Sequence, residues 1–387
     1  MRLAPFLLAP FALAASLLAG CATGPPPTDP ESLLADRLFA PPVEPARTDD
    51  VFAMSPAMRH YLAVEIATQL RVEGPQAGLI DALRTRAQLK LEYDAARTKK
   101  AAATFDARTG NCLSLVIMTA AFAKELQLPV SYRSAYLEEG WSRTGDLLVS
   151  TGHVNITVGR RIFDARTPRD LSPITIDFLP PEDISGLRTR EIDEATIVAM
   201  YANNRAAEAL ADGRVDDAYA WAAASVRHDP GFAAAFNTLG VVYLRHDNLA
   251  EAERTFRHVL AVDPKDTRSL ANLAETYERQ GRYGDAQATR LALAALEPYP
   301  PFHFFNLGMA AMQHKDYRAA RELFAREVAR TGSYHEFQFW LGVADWRLGD
   351  EAEAQRHLTL ARDSSLTRGQ HELYAAKLAW LQEHRQR

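Results

Sequence analysis

The strongest constraint on this chain is a 34-residue periodicity that runs through its C-terminal half. Alanines, leucines and the small residues that follow the leucines all recur at this interval, and prolines close three consecutive units. The alanines are Ala218, Ala252, Ala286, Ala320 and Ala354, the leucines are Leu239, Leu273, Leu307 and Leu341, and the prolines are Pro230, Pro264 and Pro298. Because proline lacks an amide donor and stops a helix, the pattern predicts stacked helix pairs.

The period and these residues resemble the tetratricopeptide repeat, a helix-turn-helix unit with small residues where the helices touch. The resemblance covers five units within residues 195–366, and residues 367–387 are expected to form a capping helix. The first unit has Arg205-Ala206 in place of the Leu-Gly pair, and the fifth has Leu366 in place of the closing proline. Atypical ends are expected of a solenoid, since its terminal faces meet solvent.

The register of that family assigns an apolar concave strip to the fourth and fifth units. We name this set the concave strip: Phe302, Phe305, Met309 and Met312 in the fourth unit, and Phe339, Val343 and Trp346 in the fifth. An exposed strip of this kind marks an interaction site, so we expect it to bind a protein or peptide partner. The alternative is that the first domain or the last helix already covers it.

The N-terminus has the pattern of a processed segment. Residues 1–20 are mostly apolar, with Arg2 as the only charge, and they end in Leu18-Ala19-Gly20 before Cys21. This resembles the lipobox of bacterial lipoproteins, which implies a signal peptide over 1–20 and an acylated Cys21. Pro5 and Pro10 interrupt the apolar run and disfavour a retained spanning helix.

Residues 21–50 are rich in proline and are expected to form an extended, largely unfolded tether. Ala22 follows the cysteine, which resembles sorting to the outer membrane, so we expect a lipid-anchored, periplasm-facing protein. The net charge is -5 with no basic run, which argues against nucleic acid as a partner. No second apolar segment is long enough to span a bilayer, and no cofactor or metal is expected.

Cys112 is the second of two cysteines, so it has no disulfide partner once Cys21 is acylated. Asn111 is the expected N-cap of an apolar helix that runs to Leu126, which places Cys112 in its first turn. The helix dipole there favours a thiolate, which makes Cys112 a candidate nucleophile. The alternative is a small buried hydrophobic residue at a helix start.

A cysteine nucleophile needs a base, and only His60 and His153 occur between residues 22 and 194. His153 begins an alternating strand that ends before Gly159. A two-residue turn at Gly159-Arg160 would bring Asp164 onto the same face, diagonal to His153. Asp164 could then orient the imidazole. His60 is the weaker candidate because it lies in a helical pattern.

Residues 90–170 resemble the transglutaminase-like superfamily. The resemblance rests on Thr98, Ala101-Ala102, Phe105, Arg108, Gly110, Cys112, Leu128-Pro129-Val130, His153-Val154-Asn155 and Phe163-Asp164. It implies a papain-like core, in which a helix bearing the cysteine packs on an antiparallel sheet. It also implies Cys112 as nucleophile, His153 as general base and acid, and Asp164 as the residue that orients it.

The expected architecture is therefore an α+β, papain-like or transglutaminase-like domain over residues 51–190, followed by an all-α tetratricopeptide-repeat solenoid. The leading interpretation is an enzyme that acts on an amide or peptide through a thioester, with a repeat array that binds a protein partner. The alternative is a non-catalytic scaffold lipoprotein that recruits partners through its repeats.

Overall fold

The computed structural model describes residues 29–84, 89, 91–135, 141–144, 147–150, 153–161, 172–178, 189–331, 334–365 and 367–384. Cys21 and Asp164 lie outside these ranges. None of the helices in the described ranges is both long enough and apolar enough to cross a membrane.

The described part of the N-terminal region combines five α-helices with short strands. Its helices are α1 (Pro56–His60), α2 (Ala67–Glu73), α3 (Pro75–Arg84), α4 (Ala101–Ala107) and α5 (Cys112–Glu125), with a π-helical turn (Tyr61–Glu65) between the first two. Every residue of α5 from Cys112 to Ala123 is buried, which confirms the expected buried helix. Its apolar residues leave no polar face for solvent.

Among the described residues of this region, eight strands form three sheets. The strands are β1 (Glu92–Tyr93), β2 (Thr109–Gly110), β3 (Val130–Ala135), β4 (Trp141–Thr144), β5 (Leu147–Ser150), β6 (His153–Val158), β7 (Ile174–Ile176) and β8 (Thr189–Ile192). The main sheet is antiparallel with the order β7-β6-β3-β8, and α5 packs against β6. The β1 strand pairs in parallel with β2, and β4 pairs antiparallel with β5.

The expected hairpin after β6 has its return strand beyond Arg161, outside the described residues. Ile156 to Val158 pair with β7 on one edge of β6, and the whole of β6 pairs with β3 on the other edge. The amide of Gly159 donates to the carbonyl of Pro129, which continues the β3–β6 ladder by one pair. A strand that returned directly after Gly159-Arg160 would find both edges of β6 occupied at Ile156–Val158.

The C-terminal half is an all-α solenoid of helix pairs, as expected from the 34-residue period. Its helices are α6 (Glu194–Ala211), α7 (Val215–His228), α8 (Ala233–Arg245), α9 (Leu249–Val262), α10 (Thr267–Arg279), α11 (Tyr283–Leu296), α12 (His303–Gln313), α13 (Tyr317–Thr331), α14 (His335–Arg347), α15 (Glu351–Asp363) and α16 (Arg368–His384). The last of these is the expected capping helix, and it packs on α15.

Two periodic signals define the repeats. The helices α7, α9 and α11 end before Pro230, Pro264 and Pro298, because the residue before a proline is biased away from helical geometry. The turn inside each unit holds one residue with a positive φ at the same register: Gly213, Asp247, Gly281, Lys315 and Gly349. Glycine adopts this conformation without the steric penalty that other residues incur.

Residues 29–50 do not form the expected extended tether. Two 3-10 turns, Pro30–Leu33 and Asp36–Leu38, place Leu33 in the core with 2% of its surface exposed. The Phe39 ring stacks on Tyr219 with 3.9 Å between ring centroids. Proline content alone does not predict disorder here, since the apolar residues between the prolines find a surface on the repeats.

The apolar core is divided in two within the described residues. One cluster runs from Leu33 to Ala286 and joins the N-terminal region to the first three repeats. The second runs from Phe302 to Ala344. The fully described helices α11 and α12 share no packed interface, and Ala286 is the only buried residue of α11.

Candidate functional site

Cys112 is held at the first position of α5 by the predicted N-cap. The side chain of Asn111 accepts a hydrogen bond from the Ser114 amide at 2.9 Å, and its own amide donates to Thr98 at 2.9 Å. Cys112 is 8% exposed, and it is the only free cysteine among the described residues. The prediction that Asn111 starts this helix is therefore confirmed.

His153 lies at the start of β6 and is 2% exposed. Its Nε2 is 2.7 Å from Oδ1 and 2.8 Å from Oδ2 of Asp177, the residue that follows β7. The Asn155 side-chain amide donates to the same carboxylate at 3.3 Å. Asp177 therefore takes the position diagonal to His153 that the sequence suggested for Asp164.

Asp177 was not among the site residues predicted from the sequence, because β7 lies far along the chain from β6. A signal was present: Ile174, Thr175 and Ile176 alternate in polarity, so Asp177 falls on the polar face with Thr175. Thr175 and Thr157 share a hydrogen bond between their hydroxyls at 2.8 Å across this pair, which shows the shared face directly.

The imidazole of His153 has one satisfied nitrogen. Its Nδ1 is buried, and no described residue forms a hydrogen bond with it. When Nε2–H donates to the Asp177 carboxylate, Nδ1 is the unprotonated nitrogen and is able to accept a proton. This is the arrangement of a base oriented by a carboxylate.

The Cys112 thiol lies close to Tyr93 and Asp177. Burial raises the pKa of Cys112 to about 12; the Tyr93 hydroxyl, hydrogen-bonded to the sulfur, lowers this pKa, while the charge of Asp177 raises it. Burial therefore opposes the thiolate that the sequence predicts, and the role of Cys112 as a nucleophile stays a prediction. Desolvation disfavours the charged form of the thiol, and this effect outweighs the stabilisation that a helix start gives to a thiolate.

Tyr93 is the second site residue that the sequence did not reveal. It lies on β1, which the pairing of Tyr93 with Gly110 holds beside the start of α5. Its ring is 37% exposed, and its hydroxyl contacts the thiol of Cys112. No group of three or more metal-binding side chains occurs in the described part of the chain.

The concave strip is not an exposed surface. Phe302 and Phe305 are 3% and 1% exposed, and they pack in the second core cluster together with Met309 and Met312 at its margin. Phe339 stacks on Tyr374 of α16 at 5.0 Å. Trp346 contacts Trp380 of α16 edge-on at 5.3 Å. The capping helix covers the fifth-unit residues, as the alternative interpretation held.

Comparison with known proteins supports the repeats. Residues 209–271 and 243–299 match one tetratricopeptide-repeat family model, and residues 305–364 match another. The tetratricopeptide-repeat interpretation is therefore confirmed over these residues, which makes protein–protein interaction the function class of the solenoid. No curated protein sequence is significantly similar to the chain.

Several solved structures share similarity with part of this chain. Pseudomonas aeruginosa pilF is 22% identical, with 50% of this chain and 87% of that chain covered and a TM-score of 0.29. MamA is 16% identical, with 44% and 92% covered and a TM-score of 0.26. YrrB, described as a TPR protein with an unusual peptide-binding site, is 19% identical, with 46% and 92% covered and a TM-score of 0.25.

Proposed function

We propose that this protein is an interaction scaffold, in which the repeats bind a protein partner and the N-terminal region serves as a structural cap. The observation that carries the proposal is the match of residues 209–271, 243–299 and 305–364 to tetratricopeptide-repeat models. The burial of Cys112, which is 8% exposed and whose pKa that burial raises to about 12, argues against a role as nucleophile. A nucleophilic cysteine instead needs an accessible thiolate.

Contacts at the junction support a structural cap. The Thr98 amide donates to Glu208 of α6 at 2.6 Å, and the Tyr132 hydroxyl donates to Glu194 at 2.9 Å. On the next helix, the Tyr219 hydroxyl accepts from the Ala35 amide at 2.8 Å. These bonds cover one terminal face of the solenoid, which would otherwise expose apolar surface.

The part of the concave face that α16 does not cover is polar. Family register assigns Arg268, Glu275, Glu278 and Arg279 of the third repeat to the concave face. The Asn272 amide donates to Asn237 at 3.1 Å, and Arg268 pairs with Asp266 at 2.8 Å. We expect this face to bind a polar, charged partner segment, with an affinity that falls as salt is added.

Site-specific photo-crosslinking in the full chain tests this proposal. Benzoylphenylalanine at Glu275, an exposed position of α10, should form an adduct with one partner, and the same group at exposed Ala292 of α11 should not. The Glu275 adduct should persist in Cys112→Ala. Loss of the adduct in a folded Cys112→Ala chain would contradict a purely structural role for the cysteine.

We further propose that Cys21 is acylated and that the protein faces the periplasm from the outer membrane. The support is the Leu18-Ala19-Gly20-Cys21 sequence after an apolar run. Because Asp29 begins the docked segment, the linker from Cys21 spans at most about 28 Å. The repeats would then lie near the lipid surface rather than far from it.

Membrane fractionation tests the anchor. Cys21→Ser should release the protein from the membrane fraction or block its processing, because two or more acyl chains are needed for stable anchoring. An unprocessed wild-type chain in the aqueous fraction would refute this location.

A second function, thioester chemistry of the transglutaminase-like kind, is favoured by one observation: His153 has a carboxylate on Nε2 and an unpartnered Nδ1. In this scheme the thiol proton of Cys112 moves to His153, and the thiolate attacks an amide carbonyl. The leaving amine takes the proton from His153, and water then hydrolyses the thioester. Tyr93 must first move away from the sulfur.

Acylation by p-nitrophenyl acetate distinguishes this second function. An active site would give an acetyl thioester on Cys112 and release p-nitrophenolate, and Asp177→Asn would slow this more than Asp164→Asn. Absence of any Cys112 adduct in the folded chain would exclude the chemistry.

A further inference from the structure

One side of α11 is apolar and exposed. Its exposed apolar residues recur at intervals of three and four, which places them on a single face of the helix. We name this set the outer strip: Ala288, Leu291, Ala292, Ala295, Leu296 and, just after the helix, Tyr299. Leu291 and Tyr299 are 66% and 51% exposed. Ala286, the only buried residue of α11, lies on the opposite side, so the outer strip faces away from α10.

The equivalent face of α9 is basic. The positions 34 residues before the outer strip are Arg254, Arg257, His258, Ala261, Val262 and Lys265. We name the three exposed cations among them, Arg254, Arg257 and Lys265, the basic row. Glu253 pairs with Arg257 at 3.0 Å and with Arg282 at 2.9 Å. Because Arg282 directly precedes α11, these pairs link the two helices and set the basic row beside the outer strip.

The N-terminal segment docks on the matching face of α7. Arg227 of α7, which shares the register of the outer strip, pairs with Asp36 at 3.1 Å. The first 3-10 turn, Pro30–Leu33, contacts both α7 and α9. At most about 28 Å of chain separates Cys21 from the start of this docked segment. The chain from Cys21 therefore reaches the solenoid on the side that carries the basic row.

We propose that the basic row and the outer strip dock on an anionic lipid surface. In this arrangement Leu291 and Leu296 enter the boundary between headgroups and acyl chains, Tyr299 lies at the headgroups, and the cations meet lipid phosphates. A short tether on the same side and basic charge beside exposed apolar residues together favour lipid as the occupant. The inference rests on the proposed acylation of Cys21, because the tether holds this face near the membrane.

A fluorescent amino acid in place of Leu291 tests the inference on the mature, acylated full chain. The chain is placed on vesicles of phosphatidylethanolamine and phosphatidylglycerol, with or without nitroxide groups on the acyl chains. We expect blue-shifted emission that the nitroxide lipids quench, because docked apolar side chains reach about 5–10 Å into the interface. The same reporter in place of Glu275, on the concave face, should show neither effect.

Variants locate the docking surface. Leu296→Asp should abolish the blue shift and the quenching at position 291, and Leu373→Asp, at a 51% exposed leucine of α16, should preserve both. Arg254→Gln and Lys265→Gln should each weaken docking about fivefold, since a basic residue contributes about this factor near an anionic surface. Vesicles of phosphatidylcholine alone should also reduce docking. Thermal unfolding establishes that each variant is folded.

Vesicle flotation separates failure of the docking surface from failure of the anchor. A chain that floats with the vesicles while the reporter at position 291 stays in water would overturn the docking surface and leave the anchor intact. A chain that does not float would refute the acyl anchor, and the docking inference would fall with it.

Discussion

Asp345 lies on α14, and its carboxyl group is buried. It is 3% exposed, and no described residue forms a hydrogen bond with its Oδ2. Burial raises the pKa of Asp345 to about 6, against the opposing charge of Arg321. Since each pKa unit corresponds to about 1.4 kcal/mol, ionisation of Asp345 destabilises the fold by about 3 kcal/mol above pH 7.

We predict that Asp345→Asn stabilises the protein in a pH-dependent way. The folded-state pKa is raised, so the penalty grows as pH rises from about 4 to about 6 and is absent below both pKa values. Thermal unfolding should show a higher melting temperature for the variant at pH 8 and equal values at pH 3.5. Asp363→Asn, an exposed position on α15, serves as the control and should change neither value.

At the scale of single elements, Gly240 shows why the repeats carry a small residue before the end of the first helix. A Cβ at Gly240 would lie 2.4 Å from the Phe256 ring, and one at Gly308 would lie 2.5 Å from the Phe324 ring. The small residue therefore makes room for an aromatic ring of the paired helix. This is a more specific role than letting the two helix backbones approach closely.

We predict that Gly240→Ala destabilises the protein by about 1–3 kcal/mol, because overpacking exceeds the gain in helix propensity. Gly284→Ala is the matched control, since a Cβ there meets nothing within 4 Å. The control should be neutral or stabilise by up to about 1 kcal/mol. Chemical denaturation measures both, and equal effects would refute the packing explanation.

Local sequence patterns predicted the elements well and their partners poorly. The repeat period, the N-cap at Asn111 and the buried helix α5 follow from residues within one or two turns of each other. The partner strand of His153 depends on β7, which is separated from β6 by a long connection. The packing of Phe39 depends on Tyr219, which lies 180 positions away. No local periodicity encodes this contact.

The same limit applies to the concave strip. Helical register correctly grouped Phe339 and Trp346 on one face, but it did not reveal that α16 lies over that face. Which helix covers an apolar face is a tertiary property. The raised pKa of Cys112 was not predicted for the same reason, because the burial of its thiol depends on residues far along the chain.

At the scale of the molecule, the solenoid is divided between α11 and α12. Leu239, Leu273 and Leu341 are 0%, 5% and 4% exposed, while Leu307 at the same register is 47% exposed. The sequence encodes the break, because Arg290 of α11 stands where Phe256 and Phe324 stand in neighbouring repeats. Two apolar cores therefore stabilise the chain separately.

We predict that the two parts unfold in separate steps. Leu341→Ala should lower the stability of the C-terminal part by about 2–5 kcal/mol, and Leu307→Ala should change it by less than about 1 kcal/mol. Calorimetry should resolve two unfolding transitions. Leu341→Ala should lower the midpoint temperature of only the transition that reports residues 302–384. A single transition, with calorimetric and van't Hoff enthalpies equal, would show that the cores act as one.

A scaffold role for this protein requires Cys112 to be a structural thiol. The direct measurement is iodoacetamide labelling of the native full chain in a Cys21→Ser background, followed by mass spectrometry from about pH 6 to about pH 9. We predict slow labelling that becomes fast only when denaturant unfolds the N-terminal region, because burial raises the pKa of Cys112 to about 12. Fast labelling of the folded chain, already complete near pH 6, would reveal a thiolate and contradict the scaffold assignment.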